Sequence, residues 1–230
     1  MVTTRLYVAR HGATELSAED RFAGSIDVQL SDEGRAQAAS LGERLNGERL
    51  DAVYASPMSR TRETAEVAAS ACGLSVSFVD GLREVAHGHW EGMRRREVEE
   101  QFAEEYASWE ADPFTFAPAG GESGAAVLAR ALTAFRQILD RHTGQRVLVV
   151  SHKATIRLVL SSLLGFDPRG YRDRLDQAPA CLNVLDFRDP VRARLILFND
   201  TSHYESSVHG PHAHLSKWWD PAGRGLRDDK

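Results

Sequence analysis

Short unbroken apolar runs alternate along this chain with longer stretches whose apolar positions recur at helical spacing. Apolar runs bounded by glycine or polar turns predict buried strands, and the 3.6-residue period predicts helices packed on them. The predicted strands are Leu6-Tyr7-Val8-Ala9, Ala52-Val53-Tyr54-Ala55, residues 76–79 and Val147-Leu148-Val149-Val150. Residues 181–187 and 192–198 alternate like strands around the turn Asp189-Pro190. A polar loop from Thr14 to Gln29 is followed by a helix with Ser31 as its N-cap and Asp32 and Glu33 in its first turn. That helix carries Ala36, Ala38, Leu41 and Leu45 and stops near Gly47. Further helices are predicted over 59–71, ending at Gly73, over 154–164, and from Gly121 to about His142. The charged stretch 94–111 predicts one or two surface helices broken at Pro113, and 114–121 a Pro/Gly loop. Strands alternating with helices imply a three-layer α/β/α sandwich with a mostly parallel central sheet. The final pair is joined by a turn tight enough only for an antiparallel partner.

Polar residues collect where these strands end. The first strand delivers Arg10 and His11 into Gly12, and Val150 leads into Ser151 and His152. Open α/β sheets bind ligands at the carboxyl ends of their strands. Arginine offers a planar fork of donors for phosphate, and a neutral histidine is a nucleophile. A third strand-to-helix junction, Ser56-Pro57-Met58-Ser59-Arg60, places Ser56 to cap and Arg60 in the first turn, where the helix dipole favours an anion. Arg62 points elsewhere and is expected in a surface salt bridge.

In order, Arg10-His11-Gly12-Ala13-Thr14, Ser56–Arg60 with Thr64-Ala65, Leu82-Arg83-Glu84 with Gly88–Gly92, Gly120-Gly121-Glu122-Ser123 and Val150-Ser151-His152 resemble the histidine phosphatase superfamily, in its phosphoglycerate-mutase-like branch. The likeness runs from about Leu6 to about Tyr204. It implies a phosphatase that hydrolyses a small phosphomonoester through a phosphohistidine, without metal or other cofactor. His11 would be the nucleophile, Arg10 and Arg60 the clamps on phosphoryl oxygens, and His152 a cationic stabiliser once phosphate is bound. The likeness places the proton donor at Glu84, where a nearby phosphate dianion favours the protonated carboxyl. In the second step Glu84 would deprotonate water. Glu91 is a competing carboxylate whose Trp90-Glu91-Gly92 setting looks structural.

The chain departs from the family pattern in places. Ser17 stands where asparagine is common on the phosphate, and serine is shorter. Arg21 matches a recurrent arginine on the phosphate, but Ala23-Gly24 replaces Gln-Gly. Lys153 follows the second histidine where a small residue is usual; it is either a solvent-facing helix-start lysine or a fourth positive charge at the pocket rim. Two other functions stay open here. One is a phosphoglycerate-type mutase, against which the modest length of 94–123 counts. The other is an inactive phosphate-binding module, against which the intact Arg10, His11, Arg60, Glu84 and His152 count.

Composition narrows the partners. Acidic residues outnumber basic ones, 33 to 28, with no basic block or aromatic-basic interleaving, so nucleic acid is not an expected partner. No apolar run has transmembrane or signal-peptide length, so no membrane is expected and a cytoplasmic location is. Cys72 and Cys181 are expected as free thiols. The sequence predicts a domain over 1–206 and a tail over 207–230 of unknown role. His209, His212 and His214 lack Cys or acidic partners at metal-ligand spacing, so no metal site is expected there. The tail could cover the pocket or support a homodimer through Trp218 and Trp219. His203, in Asn199-Asp200-Thr201-Ser202-His203, is expected to be structural. The expected partner is a small phosphorylated metabolite.

Overall fold

The central apolar runs become strands because both of their faces find helices to pack on. The computed structural model describes residues 2–18 and 21–204; the side chains of Ser17 and Ala18, and the tail with its histidines and tryptophans, lie outside the described residues. In chain order the elements are β1 (Thr4–Arg10), α1 (Asp32–Leu45), β2 (Ala52–Ala55), α2 (Ser59–Ala71), β3 (Val76–Phe78), α3 (Arg95–Gln101), α4 (Ala103–Ala111), α5 (Gly124–Arg141), β4 (Arg146–Ser151), α6 (Lys153–Leu163), α7 (Tyr171–Arg174), β5 (Leu182–Phe187) and β6 (Ala193–Asp200). The strands form one six-stranded sheet in the order β3-β2-β4-β1-β5-β6. β3, β2, β4 and β1 run parallel, and β5 and β6 are antiparallel additions at one side.

The period-two alternation of β1 sorts its side chains between two cores. Leu6 and Val8 pack with Phe135, Ile138 and Leu139 of α5 and Ile156 and Val159 of α6. Tyr7 and Ala9 face the other way, against Leu41 and Leu45 of α1 and Ala65 and Ala68 of α2. Helices therefore cover both faces, giving the expected three layers. Truncating a core aromatic such as Phe135, 1% exposed, to alanine would cost about 3–5 kcal/mol.

Ser31 caps α1 as expected, its side chain accepting from Gly34 N. Ser56 does not cap α2. Pro57 and Met58 intervene, the helix begins at Ser59, and Ser56 sits too early to reach its free N–H groups. Asp27 from the preceding loop does this instead, accepting from the backbone and hydroxyl of Ser59. Gly73, at φ +68°, closes α2 in the left-handed conformation open to glycine. Arg62 pairs with Glu66 at the surface and lies over the Phe78 ring.

The charged stretch 94–111 forms α3 and α4, parted at Phe102, and is more than a surface layer. Val98, Tyr106 and Trp109 are buried with Phe22 and Trp90 in a satellite core. Polar residues outnumber apolar ones there, so the charges hid the buried face. The short helix α7 also gave no apolar period to read.

Candidate active site

The β1–β4 register assembles the centre of the site. Arg10 pairs with Ser151, so the next residue of each chain segment, His11 and His152, emerges beside the other. Their ring centroids lie 5.3 Å apart, edge to face. A cleft of about 670 Å³ opens above them at the strands' carboxyl ends, lined among others by Arg10, His11, Arg21, Arg60, Glu84 and Lys153. His152 is fully buried and stands behind the cleft's lining.

His11 is fixed by its own backbone: Nδ1 lies 2.7 Å from the carbonyl oxygen of Gly12. The ring donates from Nδ1 to that acceptor, leaving the Nε2 lone pair free. Burial, then the charges of Arg60 and Arg10, hold His11 well below the ordinary histidine range, so the ring is neutral. Gly12 is required here, since a Cβ at this position would collide with the carbonyl oxygen of Gly34. Its amide donates to Thr64 Oγ1, whose hydroxyl in turn donates to Arg60 O, tying the strand end to α2.

His152 is also held well below its ordinary range by burial, by Arg60 and by the other nearby cations. Nε2 lies 2.8 Å from Ser56 Oγ, and Nδ1 has no hydrogen-bond partner among the described residues. The Ser56 hydroxyl can donate to Nε2 of neutral His152 or accept from it; where it donates, Nδ1–H is left as an unused donor. This is the role that Ser56 fills in place of capping.

The arginines are anchored through backbone carbonyls. Arg10 donates to Gln177 O at 2.7 Å and keeps a buried Nε without a partner among the described residues. Arg60 donates to Ile26 O and Gly24 O. Burial pulls both guanidinium groups below their usual value. Arg21 also lines the cleft and donates to Gly92 O. The Ser17 side chain lies outside the described residues.

Glu84 reaches the cleft from the loop after β3. Its Oε1 accepts from Val85 N, Thr155 N and Thr155 Oγ1, and its Oε2 from Ala154 N, so the carboxylate sits on the first turn of α6. Arg130 holds this loop by donating to Gly81 O, Arg83 O and Glu84 O, and Glu122 holds Arg130 with both oxygens. Glu91 is occupied structurally, accepting from Ser25 N and His87 N. His203 lies against Ala180 O, away from the cleft's lining.

Lys153 is not solvent-facing. Its side chain is 20% exposed, lines the cleft and pairs with Asp176. Arg157, Tyr171, Arg172 and Trp109 share that wall and were not singled out from the sequence. Arg157 was findable, because it lies four residues after Lys153 on the same helix face. Arg172 was not, because α7 is too short to show a period; its guanidinium stands 4.5 Å from the Trp109 ring.

Among the described residues no helix is long and apolar enough to cross a membrane. The family model of the histidine phosphatase superfamily (branch 1) matches residues 6–201. Phosphoserine phosphatase 1 of Hydrogenobacter thermophilus is 37% identical over 163 residues, 71% of this chain and 77% of that protein. Bacillus stearothermophilus YhfR superposes with a TM-score of 0.82 at 30% identity, covering 88% of this chain and 100% of that one. The mycobacterial glucosyl-3-phosphoglycerate phosphatase Rv2419c superposes at 0.78 with 27% identity, covering 86% and 99%.

Proposed function

The chain belongs to the histidine phosphatase superfamily and is a phosphatase of that type, and from its site we propose that it hydrolyses a small phosphomonoester through a phosphohistidine formed on His11, without a metal ion. The observation that carries this is the 2.7 Å contact between His11 Nδ1 and Gly12 O, in a ring kept neutral by burial. Donation to that carbonyl fixes the tautomer, so the basic nitrogen is Nε2. A neutral imidazole so oriented is ready to attack phosphorus.

In the first step Nε2 forms the N–P bond as the ester O–P bond breaks in line with it. Arg10 and Arg60 neutralise the equatorial oxygens, the part a metal takes in other phosphoryl transfers. His152 donates from Nδ1 to the transferring group while Ser56 holds its other nitrogen. The leaving alkoxide takes its proton from Glu84. In the second step the Glu84 carboxylate removes a proton from water, which attacks phosphorus and releases inorganic phosphate and neutral His11.

A panel of small soluble phosphomonoesters assayed for phosphate release in EDTA tests the proposal. Turnover of at least one ester is expected, falling by about a thousandfold or more in His11→Ala. Turnover that depends on added divalent metal would contradict it.

A further inference from the structure

Lys153 opens α6 directly after His152, and Arg157 follows one helical turn later on the same face. Both point at one acceptor: Lys153 Nζ lies 3.3 Å and Arg157 Nη2 2.9 Å from Asp176 Oδ1. Both side chains line the cleft beside Arg10. Arg157 is only 5% exposed, and its Nε has no hydrogen-bond partner among the described residues. Buried cations are stable only when paired, yet these two share one carboxylate and face the further charge of Arg10. Burial above all pulls the Lys153 ammonium down to about 7, and Arg157 and Arg10 push the same way.

We propose that Lys153 and Arg157 form a second anion subsite beside the phosphate pocket, which takes a carboxylate of the substrate; the substrates are then phosphorylated carboxylic acids. This rests on the phosphatase reading of the same cleft. Charge selects a carboxylate over a second phosphate. With its ammonium protonated, Lys153 together with Arg157 and Asp176 carries a single excess positive charge, Arg10 being given to the phosphoryl group; one carboxylate cancels that excess and a phosphate of about −1.5 to −2 overshoots it. Lys153 and Arg157 line the same cleft as Arg10 and His11, so one small substrate carries both anions.

The test uses paired esters that differ only in the carboxylate: phosphoglycolate against ethyl phosphate, and 3-phosphonooxypropionate against propyl phosphate. A bisphosphate, 1,3-propanediol bisphosphate, is the third arm. The wild-type protein should favour the carboxylated member of a pair by about tenfold or more in kcat/KM, mainly through KM. Lys153→Met should erase most of that ratio, and Lys153→Arg should keep most of it. A ratio that is the same in wild type and Lys153→Met overturns the subsite, as does a bisphosphate preferred over both carboxylates. If no ester turns over, the phosphatase reading fails separately. Calorimetry on His11→Ala then still reads the subsite: phosphoglycolate should bind about tenfold tighter than ethyl phosphate, and equal affinities overturn it.

Discussion

The hydroxyl of Ser56 and Nε2 of His152 lie 2.8 Å apart in a fully buried pair, joining the end of β2 to the end of β4. This contact orients the His152 ring and leaves Nδ1 without a hydrogen-bond partner among the described residues. Ser56→Ala should therefore lower kcat by about tenfold, a loss of about 1.4 kcal/mol of transition-state stabilisation, with a much smaller change in KM. Steady-state kinetics on one good substrate check this. An unchanged kcat would remove Ser56 from any role in orienting His152.

Glu84→Gln should slow esters with poor leaving groups far more than activated esters such as aryl phosphates, because good leaving groups need little protonation. The expected split is on the order of a hundredfold. A series of esters of graded leaving-group acidity reads it, and an equal loss across the series would take the acid role away from Glu84.

His11 and His152 remain neutral in the fold, while the unfolded chain protonates them below pH about 6.5. Their folded values are depressed, so the stability they contribute is complete above that pH and is lost as pH falls. The loss reaches at most about 1.4 kcal/mol per pH unit for each histidine. Urea unfolding between about pH 7.5 and about pH 5 measures it, and His152→Asn should make the slope shallower. A slope that this variant leaves unchanged would contradict a neutral, buried His152.

Lys153 gives the cleft a titration near neutrality. The groups facing it are Asp176, which holds its proton on, and Arg157 and Arg10, which drive it off. As pH rises through about 7 the ammonium is lost, so KM for phosphoglycolate should climb by up to about tenfold per pH unit, while KM for ethyl phosphate should not. Lys153→Arg should flatten the rise, because guanidinium stays charged. Parallel KM profiles for the two esters would contradict this.

Much of the fold and the centre of the site was legible in the sequence, for physical reasons. The β-branched run into Ser151-His152 and the run into Arg10-His11 announced both strands and the side at which they open. What could not be read was the pairing register, since strand order is a tertiary property; it alone brings His11 against His152. Ser56 misled because a serine ahead of a helix usually caps it, whereas Pro57 displaced the helix start and freed the hydroxyl for His152. Trp109 was hidden in a charged segment that buries one narrow face. Lys153 looked like an exposed helix-start residue because nothing local shows that Asp176, from a distant loop, turns it into the cleft.

The central claim is that His11 carries the phosphoryl group. Phosphohistidine is labile in acid and stable in base, so the intermediate is best trapped by mixing the protein with a phosphorylated substrate and quenching within milliseconds in alkali. Mapping the phosphorylated peptide by mass spectrometry should place the group on His11, at a level that rises before steady state, and His11→Ala should show none. A phosphoryl group on another residue, label that persists in His11→Ala, or full turnover with no label at His11 would contradict the account.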